Sequence, residues 1–182
     1  MQVPHWLQFF ERVFPSANMV LIRTRLPILI DTGFGSDVPE TEHLLRTAGV
    51  LPEQLHPVVN THYHCDHVGG DHALQQRYDL PIAAHRWDAL TINYRDPEAC
   101  SAAWLNHPVE SYRVTHYLGD GDEIDAGDVK LQVLHTPGHT LGHLSLYALD
   151  EQILICGDVV HRDDVALISS FRSPSSVVFV RE

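Results

Sequence analysis

Residues 62–67 read His-Tyr-His-Cys-Asp-His and run directly into Val68-Gly69-Gly70, so four metal-type ligands fall within six residues. In an extended segment residues two apart share a side, and His62 and His64 can offer their imidazoles to one ion. Asp66 and His67 follow once the chain has begun to turn, and can face a neighbouring ion. The preceding Pro57-Val58-Val59-Asn60-Thr61 suits a short buried strand, which places the ligands at a strand's carboxyl end, where sheet-based sites gather. Gly69 and Gly70 then let the backbone turn tightly before a helix begins. The competing reading is a polar loop that happens to collect histidines. Strict HxHxDH order between a strand and a double glycine argues against it.

Two later segments supply matching chemistry. Val129–Leu134 alternates apolar and polar residues and leads into Thr136-Pro137-Gly138-His139-Thr140, so His139 sits on a loop at a strand terminus. Ile153-Leu154-Ile155-Cys156 is a continuous apolar run closed by Gly157, and Asp158 emerges just beyond it. Alone, either residue would more often be a cap or turn residue. Three strand ends that all deliver ligand-type side chains point to one two-metal hydrolytic site.

THYHCDHVGG, HTPGHTLGHLSLY and LICGDVV, taken in order, resemble the signature motifs of the metallo-β-lactamase-fold hydrolase superfamily, on its glyoxalase-II-like, zinc-dependent branch. The resemblance runs from about Val20 to Asp158. It implies an α/β chain folded as an αββα four-layer sandwich, with residues 1–182 forming a single domain. It also implies that His62, His64 and His139 hold a first metal, that Asp66 and His67 hold a second, and that Asp158 bridges them. Three neutral imidazoles around zinc leave one tetrahedral position for water, as a catalytic site requires. Two zinc ions per chain are expected, with iron as the alternative metal. Two divalent ions, two carboxylates and one hydroxide leave a net positive charge, which favours the oxyanion formed when hydroxide attacks an acyl carbon. The resemblance further gives Asp66 a catalytic part in orienting that nucleophile.

The family pattern also breaks. It supplies the second metal with one more histidine from well beyond the bridging aspartate, whereas only 24 residues follow Asp158 here, with His161 their single histidine. An under-coordinated second metal is therefore expected, in a chain whose second half is short of its final helices. Apolar surface on the second sheet would then lie open, to be covered by a homo-oligomer contact in which the closing Val177-Val178-Phe179-Val180 run could take part.

The first half reads as strands at Met19–Arg23 and Pro27–Asp31, a helix over Val38–Ala48 stopped by Gly49, a second helix over Gly70–Tyr78, and a strand from Pro81 to Ala84. Gly119–Asp125 is expected as a hairpin turn, since it lacks the spacing of a calcium loop. Trp87, Tyr94, Trp104 and Tyr112 are either a roof over the metal cleft or ordinary packing, and packing is the expectation. His135 and His143 flank His139 and are expected to support the ligands by hydrogen bonding. His5, His43, His56, His72, His85, His107 and His116 are expected at the surface or in packing.

Composition narrows the function. A net charge of −12 with only 12 Lys and Arg disfavours a nucleic-acid partner. No apolar run reaches the ~18 residues needed to span a bilayer, and the first residues lack the order of a signal peptide, so a cytoplasmic protein without a membrane partner is expected. Cys65, Cys100 and Cys156 form no disulfide pattern. The sequence thus favours a hydrolase whose metal-bound hydroxide attacks a small-molecule ester, thioester, lactone or amide. The alternatives are a mononuclear iron dioxygenase of the persulfide-dioxygenase type and a metal-binding domain without activity.

Overall fold

The computed structural model describes residues 3–97, 99 and 107–160. Six strands form the first sheet, in the order β1 (Leu7–Phe10), β2 (Met19–Ile22), β3 (Ile28–Ile30), β4 (Val58–Val59), β5 (Ile82–His85) and β6 (His116–Leu118). The β1–β2–β3 ribbon is antiparallel, and β3 to β6 run parallel. Four antiparallel strands form the second sheet: β7 (Glu123–Asp125), β8 (Lys130–His135), β9 (Leu144–Ala148) and β10 (Ile153–Ile155).

Side-chain alternation decides the layering. On β2 and β3, Leu21 and Leu29 face a cluster that includes Leu45 of α1 (Val38–Thr47), Leu74 of α3 (Asp71–Tyr78) and Ile92 of α4 (Arg86–Asn93). Val20, Ile22, Ile28 and Ile30 face the other way, against Leu131, Val133, Leu144 and Leu146 of the second sheet. The first sheet is thus buried on both faces, as its near-continuous apolar strands require. Fully burying each such side chain contributes about 1.5–3 kcal/mol, and a one-residue slip would exchange the two buried faces and mismatch both packing clusters at once, so the packing fixes the register.

Three layers of the expected αββα sandwich are therefore in place. The expectation of a shortened second half, together with His161, Val177–Val180 and Trp104, lies outside the described residues. The expectation of an open apolar face is only partly met. Lys130 and Gln132 point outward from β8 and are exposed, and across the strands Gln132 aligns with Tyr147 and then Leu154, which is 49% exposed. The outer surface of this sheet is thus mixed rather than apolar.

Two other expectations need correction. Gly119–Asp125 is not a hairpin: β6 pairs in the first sheet and β7 in the second, so this turn carries the chain from one layer to the other. Packing accounts for Tyr112, which is 5% exposed, but less for Trp87 and Tyr94, which are 48% and 82% exposed. Among the described residues, no helix is long and apolar enough to cross a membrane.

Candidate metal centre

The first ligands leave the carboxyl end of β4, beside the carboxyl end of β3. The helix starts earlier than the glycines suggest. His64 caps a single turn, α2 (Cys65–Val68), so Asp66 and His67 lie on helical backbone ahead of Gly69-Gly70. That turn is anchored to the end of β3, where the Thr32 N–H and hydroxyl both donate to the His67 carbonyl, at 2.7 and 3.0 Å.

The folded chain brings the three distant ligand segments together. One ligand nitrogen from each of His62, His64 and His139 lies within 4.8 Å of the others, and a second group of the same compactness joins His62, His67 and Asp158. The rings of His62, His64 and His139 stand at 79–84° to one another, with centroids 4.5–4.6 Å apart. Asp158 faces both groups, with Oδ1 3.2 Å from His67 Nε2 and Oδ2 3.6 Å from His139 Nε2. Asp66 stands at the edge of the second group, with Oδ2 3.6 Å from His67 Nε2.

Asp31 sets the proton positions. This carboxylate closes β3 with a left-handed backbone (φ 59°), a conformation that Asp tolerates better than most residues. Its Oδ1 accepts the Thr61 N–H at 2.8 Å, and its Oδ2 accepts the Thr61 hydroxyl at 2.8 Å and His67 Nδ1–H at 2.7 Å. Having donated its one proton, the Thr61 hydroxyl accepts from His62 Nδ1–H at 3.1 Å. One buried acid thereby anchors the Nδ1–H of two candidate ligand histidines, one directly and one through a hydroxyl, and turns each Nε2 toward the site.

His143 plays a different part. It is fully buried, its Nε2 accepts the Asp158 N–H at 3.2 Å, and its Nδ1 donates to the Thr136 hydroxyl at 2.9 Å. With both nitrogens engaged it holds the Asp158 turn and is no substitute ligand. Gly157 makes this approach possible. Its φ is +49°, and a Cβ there would stand 2.7 Å from His143 Nε2 and 2.9 Å from the Thr61 side chain.

Electrostatics favour a cation. Burial, together with the neighbouring imidazoles, holds His62 well below the usual histidine range, and burial takes His64 and His143 down to about 3. These rings are therefore neutral at any ordinary pH. Burial alone would lower His67 too, but Asp31 and Asp158 outweigh it and hold its proton well above the usual range. Burial raises Asp66. His62 Nε2 and Asp66 Oδ1 are buried with no hydrogen-bond partner. An inward imidazole lone pair that nothing in the protein satisfies, among other neutral imidazoles and carboxylates, fits a divalent metal ion. The resemblance pointed to all six candidate ligands, but neither Asp31 nor Thr61 was assigned a role. The available signal was an acid ending an apolar strand at the sheet edge that carries His62.

The family model described as the metallo-beta-lactamase superfamily matches residues 12–179. The acyl-coenzyme A thioesterase MBLAC2 of Gallus gallus is 32% identical over 183 residues, covering 86% of this chain and 62% of its own length. A hydroxyacylglutathione hydrolase of Xylella fastidiosa is 30% identical over 134 residues, covering 73% of this chain and 40% of its own. The chain thus spans about three fifths or less of these relatives. A solved metallo-β-lactamase with an HARLDQ motif from Cronobacter sakazakii superposes with a TM-score of 0.70 at 23% identity, over 82% of this chain and 57% of that one. At that identity the likeness speaks for the fold alone.

Proposed function

Because the chain belongs to the metallo-β-lactamase superfamily, we propose that it is a metal-dependent hydrolase of small acyl compounds, thioesters foremost, working with two zinc ions. The observation that carries this reading is the pair of ligand groups that share His62 and are both faced by the Asp158 carboxylate. His62, His64 and His139 would hold one ion, and His67, Asp158 and Asp66 the other. When bound, the metal supplies a water whose pKa falls to about 7, and so a nucleophile at neutral pH.

The chain's own residues do the rest. Asp31 and Thr61 keep His62 and His67 in the tautomers that ligate. His143 holds the Asp158 turn from behind. Asp66 carries a buried carboxylate oxygen with no hydrogen-bond partner in the protein, placed to accept a proton from the attacking water and orient it. Both curated relatives are named for acting on acyl conjugates, of coenzyme A and of glutathione, which supports a thioester ahead of an ester, lactone or amide.

Elemental analysis of protein purified without added metal tests the proposal, paired with hydrolysis assays on coenzyme A and glutathione thioesters, a lactone and an amide. Two zinc per chain with thioester turnover, both lost in His64→Ala, is the expected result. Zinc-loaded protein inert on every acyl substrate would overturn it, as would a single iron with thiol-dependent oxygen uptake.

A further inference from the structure

Outside the ligands and their hydrogen-bond partners, one buried carboxylate touches both ligand-bearing loops. Asp88, 2% exposed, lies in the first turn of α4. Its Oδ2 accepts the Thr140 hydroxyl at 2.8 Å, and its Oδ1 accepts the Gly142 N–H at 2.8 Å. Thr140 directly follows His139. The same carboxylate takes a backbone N–H from Tyr63, the residue between His62 and His64. A Cβ on Gly142 would collide with Asp88 Oδ1, so the loop reaches the acid only because glycine stands there. A second contact holds the helix in place. His85 caps α4 through its Nδ1, and its ring lies flat on His135 of β8, with centroids 4.0 Å apart and planes 6° from parallel.

We infer that Asp88 is a positioning residue that sets the spacing between the His62–His64 loop and the His139 loop, and so the geometry of the three-imidazole group. The inference rests on reading that group as a metal site. His62 and His64 come from the first sheet and His139 from the second, so no strand pairing joins them. A backbone bond from the Leu144 N–H to the Thr61 carbonyl at 2.9 Å ties the stems beside His62 and His143, and Asp88 reaches the loops themselves at Tyr63 and Thr140. A carboxylate suits the task because its two oxygens accept several donors at once, two of them backbone N–H groups whose positions follow the loops themselves. Asparagine would turn an N–H toward one of those donors. Alanine would leave all of them buried and unsatisfied.

The test measures metal, not turnover. Zinc affinity by competition with a chromogenic chelator and the visible absorption of the cobalt-loaded protein are compared for wild type, Asp88→Asn, Thr140→Val and Thr140→Ser, with circular dichroism of the metal-free proteins as a folding control. Asp88→Asn and Thr140→Val are expected to weaken the tightest zinc site about 10–100-fold and to alter the cobalt spectrum, as loss of a ligand's supporting contacts does. Thr140→Ser, which keeps the hydroxyl, should retain both. If Asp88→Asn does not fold, the Thr140 pair decides. Wild-type affinity and spectrum in Thr140→Val overturn the inference, whatever happens to its melting temperature. Wild-type protein that binds zinc tightly yet hydrolyses nothing would refute the proposed activity and leave this inference standing.

Discussion

Replacing Asp31 by Asn changes almost no volume and reverses the proton order of the site. In the native protein Oδ2 accepts from both the Thr61 hydroxyl and His67 Nδ1–H. An Asn that keeps its oxygen on the Thr61 N–H must place its NH₂ against those same two groups. His67 Nδ1 then becomes an acceptor and its proton moves to Nε2, the nitrogen that faces Asp158 and would face a metal. The Thr61 hydroxyl, no longer donating to residue 31, is free to donate to His62 Nδ1, and the same exchange follows there. Each supporting contact of this kind is worth about 10–100-fold in metal affinity, or roughly 1.4–3 kcal/mol. Losing a charged acceptor costs the fold a comparable ~1.5–3 kcal/mol. Asp31→Asn is therefore expected to fold, to melt somewhat earlier, and to bind zinc at least tenfold more weakly at both sites, since His62 belongs to one and His67 to the other. Chelator competition on the folded variant measures this. A variant that takes up zinc with native affinity and stoichiometry would refute the tautomer argument.

Burial raises Asp71 to about 7; it accepts from the Asn60 side-chain amide, and both partners are buried. An acid whose folded pKa lies above its unfolded value of 3.8 stabilises the fold below about pH 4, and that contribution is lost as pH rises to about 7. Asp88, also raised to about 7 by burial, adds to the same trend. The buried neutral His62, His64 and His143 act in the opposite sense over the same range. The readout is therefore the difference in denaturant stability between metal-free wild type and Asp71→Asn, which should fall as pH rises across this window; a difference that does not change with pH would place the proton elsewhere. Gly157→Ala puts a methyl against His143 and Thr61 on a left-handed backbone, and should cost about 1–3 kcal/mol and weaken metal binding, both readable in a single zinc-dependent melting series.

The candidate ligands were legible because each segment closes an apolar run, and their spacing carries the chemistry without help from tertiary structure. The strands at Met19–Ile22, Ile28–Ile30 and Ile82–His85 were legible for the same reason, being buried on both faces. Strand β1 was missed: Leu7–Phe10 has neither alternation nor full burial, and it exists because β2 offers it a partner. The Gly119–Asp125 turn was misread because local turn chemistry is the same whether the chain doubles back or changes sheet. What separates the two outcomes is long-range pairing, β6 with β5 and β7 with β8. Asp88 and Asp31 escaped because a lone acid in a helix or at a strand end is ordinary until the fold shows what it touches.

Ligands drawn from opposite layers make the aliphatic filling between those layers a gauge block for the metal. Ile30 and Val59 lie just before Asp31 and the His62 loop, Leu144 just after His143, and all three share the same interlayer cluster. A methyl added or removed there changes the gap across which the imidazoles must meet, even though it touches none of them. Selection for a different ion on this scaffold would accordingly be expected to leave its marks in greasy residues well away from the coordination sphere.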